Sequence, residues 1–254
     1  MSSPESPSIS LITVCWNAAS TIERTLQSVI SQSILPREYL FIDGGSDDGT
    51  LELIMRWTPR FAAVGVAVRL IPQVRIPGQA GITSAWNQAL KEVHGDIIAI
   101  LNADDCYFPE ALSHVRAAFA ADDAIDAVAG VLLWRDAQGK TTGRFAPRSL
   151  KLLPYLMPLP HPACFFRRRV YECLGDYDAS YRLSADYDFV WRCFRAGIRW
   201  RFIPDELVAM QIGGAANTAR SRARLETYRI ARKNLPFWDL RPLVAFITRI
   251  ITRR

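Results

Sequence analysis

Cysteine is scarce and poorly spaced for structural chemistry. The five residues Cys15, Cys106, Cys164, Cys173 and Cys193 form an odd set without a CxxC pair. That argues against a disulfide framework or a zinc site and fits a reducing cytosol. Long apolar runs are also missing, and none approaches the ~20 residues needed to span a bilayer. Met1 to Pro7, MSSPESP, has neither a basic start nor an apolar stretch, so it reads as a disordered tip and not a signal peptide. There is no internal repeat, no low-complexity segment and no GxxxxGK[ST] loop, and the last absence argues against phosphoryl transfer.

What remains is an ordinary globular composition of 254 residues, half of them hydrophobic. The net charge of +6 is unevenly placed. From Asn217 onward there are ten Lys/Arg against Glu226 and Asp239, while residues 1 to 216 are slightly acidic. The basic excess therefore belongs to the tail and is a local partner signal.

Along the chain, residues 9–14 read as a buried strand and 20–32 as the helix after it, with Ser20 and Glu23 at capping-box spacing. Strands are expected at 39–43, 66–71 and 96–101, and a helix at 83–93. Pro109 suits the first turn of the next helix. This alternation predicts an α/β fold with a mostly parallel central sheet and helices on both faces. After about Ala127 a hairpin around Asp136 to Gly139, a strand at 161–166, a helix at 184–197 and late strands at 198–203 and 207–212 suggest a smaller mixed lobe. The expected organisation is one domain over 8–215, divided near 126/127, followed by a basic helical tail over 216–254.

Ligands of open parallel sheets bind beyond the carboxyl ends of the strands. Three polar clusters fall there: Thr13 to Asn17, Asp43 to Thr50 and Asn102 to Asp105. Turn chemistry explains any one of them, but all three at one edge suggest a site. Asp43 is placed to accept a hydrogen bond from a base or ribose, and the glycines of DGGSDDGT allow close backbone approach to a ligand. Asp104 suits a hard divalent cation that shares its shell with phosphate oxygens.

SLITVCWNAASTIERTLQSV, FIDGGSDDGT, GDIIAILNADD and SADYDFVWRCFRAG, in that order and spacing, resemble the family 2 glycosyltransferases, most of all the bacterial cell-surface polysaccharide branch. The resemblance covers roughly residues 8 to 215. It implies a GT-A fold, inversion at the anomeric carbon and a nucleotide-sugar donor, a UDP-sugar being the family's commonest. A divalent cation, Mn²⁺ or Mg²⁺, would be the cofactor, and the acceptor a glycan or a lipid-linked hydroxyl. By the same resemblance Thr13, Trp16 and Asn17 line the nucleotide pocket with Gly45 and Ser46, and Asp43 reads the base. Asn102 and Ala103 lead to the metal ligand Asp104, and Asp186 is the catalytic base. Trp86 and Asn87 are expected in the pocket wall.

The sequence departs from the family at Asn102, which stands where the first metal-binding Asp is usual, and at Gln79 and Ser84, where acidic residues are common. No histidine near QIGGAANTARS supplies a third metal ligand. His161 either faces the acceptor site or is structural, and His94 and His114 read as surface residues. In the first turn of its helix, Asp186 should gain from the dipole and free N–H groups, which favour its ionised form.

Two other readings stay open: a catalytically inactive nucleotide-sugar-binding subunit, motivated by Asn102, and a nucleic-acid binder acting through the basic tail. The rest of the chain lacks any nucleic-acid motif. Within the tail, Leu243, Phe246, Ile247, Ile250 and Ile251 would share one side of a helix. Such a helix suits an anionic membrane surface on the cytoplasmic side; packing on the body or a subunit contact is the alternative.

Overall fold

The computed structural model describes residues 6–211 and 220–251. Three expectations involve residues outside that range: the tip over 1–5, the end of the last strand with the 212–219 stretch scanned for a third metal ligand, and the tail end over 252–254.

Among the described residues, nine strands form one sheet: β1 (Ile9–Cys15), β2 (Glu38–Asp43), β3 (Ala67–Pro72), β4 (Ile97–Ile100), β5 (Cys106–Tyr107), β6 (Ala127–Arg135), β7 (Thr141–Phe145), β8 (Cys164–Arg167) and β9 (Trp200–Gln211). Their order is β3-β2-β1-β4-β8-β6-β9-β5, with β7 beside β6. The first four strands are parallel, β8 runs antiparallel to both β4 and β6, and β9 is parallel to β6. The parallel and mixed halves are therefore one continuous α/β sheet.

Successive side chains point to opposite faces of a strand. Along β2, Tyr39 and Phe41 enter one core cluster while Leu40 and Ile42 enter the other, and all four are fully buried. Helices cover both clusters: α1 (Ile22–Ile30), α2 (Thr50–Ala63) and α4 (Ala111–Ala120) on one face, α3 (Gly81–Leu90), α5 (Arg168–Leu174) and α6 (Ala185–Arg195) on the other. Two further helices follow, α7 (Arg220–Lys233) and α8 (Arg241–Ile251).

Some local expectations change. The capping box does not form; Thr21 is the N-cap of α1 without a side-chain bond, and Glu23 accepts from the Trp57 indole at 3.2 Å. Helix α2 fills the stretch between the second and third strands, where the sequence reading names no helix; Thr50, Ile54, Trp57 and Phe61 share its buried face. The two late strands are one, β9, whose pairing with β6 shifts register twice. Ile230 and Ala231 of α7 lie buried in the same cluster as Trp86 and Phe189.

Gly95 leads into β4, where its N–H donates to Ser10 Oγ at 2.7 Å. A Cβ there would sit 2.6 Å from the Ser10 backbone nitrogen and 3.0 Å from the Ile9 carbonyl carbon. Backbone cannot swing aside as a side chain can. Gly95→Ala should cost about 1–3 kcal/mol through overpacking, lowering Tm by roughly 2–4 °C per kcal/mol at this chain length. Thermal denaturation reads it, and an unchanged Tm would mean that β1 and β4 are less tightly joined.

Candidate active site

Three loops meet at the carboxyl edge of β1, β2 and β4, where β1 and β2 end in register and β4 ends beside Ile12 of β1. Cys15 pairs with Asp43 and Ile12 with Ile100, and Leu101 N–H donates to Ile12 at 2.9 Å. Side chains then join the loops. Asn17, left-handed at φ 50°, accepts from Asp47 N–H at 3.0 Å, while its own N–H donates to Ser46 Oγ at 2.9 Å. Ala18 N–H donates to Thr50 Oγ1 at 2.8 Å and Ala19 N–H to Asp48 at 2.9 Å. On the other side, Thr25 of α1 donates to the carbonyls of Ala103 and Asp105 at 3.0 and 2.8 Å.

Asp43 is buried under its own loop. Its carboxylate accepts from the backbone N–H groups of Gly45 (2.8 Å) and Ser46 (3.0 Å), from Ser46 Oγ (2.6 Å) and from the Cys15 thiol (3.7 Å). The turn needs Gly45, whose φ is 89°. Burial, with Asp43 beside it, pushes the Cys15 thiol up to about 12, so it remains protonated and able to donate. A carboxylate offers about four acceptor sites, so any base that bonds to Asp43 must displace one of these donors. Trp16, by contrast, is 67% exposed at the mouth of the edge.

Two expected pocket residues do not line an opening with their side chains. Thr13 is fully buried, its hydroxyl bonded to Tyr39 OH and Leu101 O at 2.9 and 2.8 Å. Ala103 is buried as well.

After β4 the two neighbouring carboxylates separate. Asp104 is half-buried at the edge, whereas Asp105 points into the protein. Burial, with the Asp104 charge next in weight, raises Asp105 to about 8. Asn102 donates to Asp105 Oδ2 at 3.0 Å, leaving Asn102 Oδ1 and Asp105 Oδ1 buried without hydrogen-bond partners. Among the described residues, no group of three or more His, Cys, Asp or Glu gathers to hold a metal. The oxygen donors around Asp104 nevertheless fit a hard cation bound by one or two carboxylates plus substrate phosphates, which needs no closed protein cage.

The second part of the site faces α6. Asp186 is half-buried in its first turn and accepts from Tyr187 N–H at 2.8 Å. The helix terminus does not win here: burial raises the Asp186 pKa above the usual carboxylate value, with His161 opposing. His161 is buried against Trp86, ring centroids 5.3 Å apart, and bonds Tyr177 OH at 2.9 Å. Tyr177 OH in turn meets Tyr171 OH at 3.0 Å. The Asn87 side chain fixes the Tyr177 backbone, donating from Nδ2 to Tyr177 O at 2.8 Å and accepting at Oδ1 from Tyr177 N–H at 3.0 Å. Trp86 and Asn87 thus support the Asp186 side, and the Trp86 indole N–H is buried without a partner.

Sequence reasoning missed Tyr177 and Glu226, which lie outside any strand-end cluster. Asp188, the other acid of α6, pairs with Arg192 at 3.0 Å. His114 is half-exposed and pairs with Asp205, while His94 is exposed beyond α3.

Much of the tail's charge is spent internally. Arg222 pairs with Glu226, Arg241 with Asp239, and Lys233 lies 4.0 Å from Asp188. Arg249 donates to Tyr155 O at 2.6 Å, and Phe246 turns inward onto Tyr228. The outward face is apolar, with Phe237, Trp238, Leu240, Val244, Ile247 and Ile251 exposed. No helix among the described residues is long and apolar enough to cross a membrane.

The family model "Glycosyl transferase family 2" matches residues 10–175. The "PGL/p-HBAD biosynthesis glycosyltransferase" of Mycobacterium bovis (strain BCG / Pasteur 1173P2) is 30% identical over 189 residues, which are 74% of this chain and 70% of that protein. The "Putative glycosyltransferase EpsE" of Bacillus subtilis (strain 168) is 25% identical over 221 residues, 85% of this chain and 77% of EpsE. S. aureus TarS 1-349 in complex with UDP-GlcNAc superposes with a TM-score of 0.69 at 17% identity, covering 89% of this chain. Mannosyltransferase PcManGT from Pyrobaculum calidifontis, in complex with GDP-Man and Mn²⁺, gives 0.68 at 21% identity over 92% of this chain. The chain spans 66% of each of these two solved chains. Their likeness identifies a GT-A fold.

Proposed function

Because this chain belongs to glycosyl transferase family 2, we propose that it is an inverting transferase that passes a sugar from a nucleoside-diphosphate sugar to a hydroxyl. The acceptor is a glycan or a lipid-linked molecule in cell-surface polysaccharide synthesis. The observation that carries this reading is the meeting of three polar loops at one sheet edge.

The nucleotide would bind across the joined loops, against Trp16, Asn17 and the Asp43–Ser46 turn, with a UDP-sugar as the first donor to test. Asp104, with Asn102 and Ala103 shaping its loop, would hold a divalent cation, Mn²⁺ or Mg²⁺. When bound, that cation supplies positive charge against the diphosphate. Asp186 takes the acceptor hydroxyl proton as that oxygen bonds to the anomeric carbon and the bond to the diphosphate breaks. Attack from the face opposite the leaving group inverts the centre. A carboxylate with a raised pKa is a better base than a free one, provided it is ionised at working pH.

One observation favours a silent binding subunit: Asn102 spends its amide on Asp105 and adds no charge at the edge. Release of nucleoside diphosphate from UDP-, GDP- and dTDP-sugars, incubated with a membrane extract as acceptor source, separates the two readings. Turnover of one donor supports the transferase, and binding without turnover the subunit.

The apolar face of α8 suits the inner surface of a membrane, where a lipid-linked acceptor would lie. The full-length protein should float with anionic liposomes at low salt and be partly released at high salt. A chain ending near Leu235 should stay in solution and keep nucleotide binding, since it retains α7. Full-length protein that ignores anionic liposomes at low salt would remove the membrane from this reading.

A further inference from the structure

The segment leading into α6 presents three consecutive backbone N–H groups, and one side chain from α7 takes all of them. Glu226 accepts from Arg182 N–H at 3.2 Å, Leu183 N–H at 2.9 Å and Ser184 N–H at 3.1 Å. It is 6% exposed. Ser184, the N-cap of α6, makes no side-chain capping bond of its own. Its hydroxyl instead donates to Ala223 O of α7 at 3.4 Å. A row of backbone donors converging on an anion is normally a ligand-binding device. Here the anion belongs to the protein, and the chain it holds ends two residues before Asp186.

Two consequences follow physically. The carboxylate satisfies three backbone donors of a turn whose last residue, Ser184, is buried, so removing it frees the 182–184 segment. It also places a negative charge near Asp186. The titratable and charged groups that act on Asp186 or are acted on by it are His161, Cys164, Tyr177 and Glu226. Of these, Glu226 raises the Asp186 pKa and His161 lowers it.

We propose that Glu226 is a positioning residue for Asp186: by gripping the turn that starts α6, it makes α7 part of the acceptor side of the active site. The proposal rests on Asp186 being the base. It also gives the basic tail a role that its charge count does not suggest, because the residue that matters is one of its two acids.

The test uses Glu226→Ala and Glu226→Gln in the full-length chain. Glu226→Ala should lower kcat by between about 10- and 100-fold, the scale of a small misplacement of a reacting group. Nucleoside-diphosphate affinity should stay near wild type. Glu226→Gln keeps an accepting oxygen and should recover part of the rate. Both variants lose the negative charge, so the acid limb of kcat should move to lower pH. Hydrogen exchange supplies a second readout: in Glu226→Ala the amides of 182–184 should lose protection while those of β1 and β4 keep theirs.

Wild-type kcat and pH profile in both variants would overturn the proposal. So would loss of nucleotide binding together with protection throughout the sheet, which would make Glu226 a general fold residue. If Asp186→Asn itself keeps full turnover, the base assignment fails, while the exchange at 182–184 still reports what Glu226 holds.

Discussion

Asp186→Asn is expected to cut glycosyl transfer by ~10²-fold or more while donor affinity stays near normal. The amide keeps the shape and can still accept from Tyr187 N–H, but it cannot take a proton at neutral pH. The effect should therefore fall on kcat alone. In the wild type, burial raises the Asp186 pKa. Only the ionised form acts as a base, so the rate should fall as pH drops through a pKa lying above that of an ordinary aspartate. In Asp186→Asn that limb should disappear. Steady-state kinetics across pH, paired with calorimetric titration of the nucleotide, reads both parts. Equal losses of binding and turnover would make Asp186 a donor contact or a helix residue.

Asp104→Ala should abolish the cation-dependent part of nucleoside-diphosphate binding and leave the fold intact. The side chain stands half-buried on a loop, whereas Asp105 beside it is buried and held by Asn102. Cutting Asp104 back to a methyl group therefore disturbs little packing, and the wild-type Tm should be nearly kept without ligand. Thermal shifts with UDP, with and without Mn²⁺, distinguish the outcomes. A variant in which Mn²⁺ still strengthens nucleotide binding would show that the cation is held elsewhere.

The parallel half of the fold was legible because its signals are local. Fully buried strands such as 39–43 announce themselves as short apolar runs, and each ends in a cluster of turn residues. Helix α2 gives weaker local signals: it follows a glycine- and aspartate-rich loop and carries Pro59 inside it, although its Ile54, Trp57 and Phe61 keep helical spacing. The late strands were split because the register shifts of β9 cannot be read from one strand.

Among the candidate site residues, strand ends mark Asp43 and Asp104, while Asp186 is singled out by the family resemblance. What lies behind them carries no such mark. Thr13 looks like a pocket residue until Tyr39 and Leu101 are found around it. The dipole argument for Asp186 omitted the burial that outweighs it. Glu226 reaches across more than 40 residues of sequence, and nothing in its own helix marks it.

The tail divides the same way. Its charge and apolar spacing were visible, but not that Phe246 packs on Tyr228 of α7 and that Arg249 bonds the Tyr155 carbonyl. The face left to solvent keeps Leu243, Ile247, Ile250 and Ile251 and adds Trp238 and Val244.

The measurement closest to the central claim is a thermal-shift screen of the full-length protein against UDP, GDP and dTDP, each with and without Mn²⁺ or Mg²⁺. A ligand that binds only the folded state stabilises it by RT ln(1 + [L]/Kd), about 2.7 kcal/mol at a hundredfold excess over Kd. One nucleoside diphosphate, UDP first among them, should raise Tm by several degrees, and most of that rise should require the cation. No shift with any of the three, with or without metal, would contradict a nucleotide-sugar site at this sheet edge.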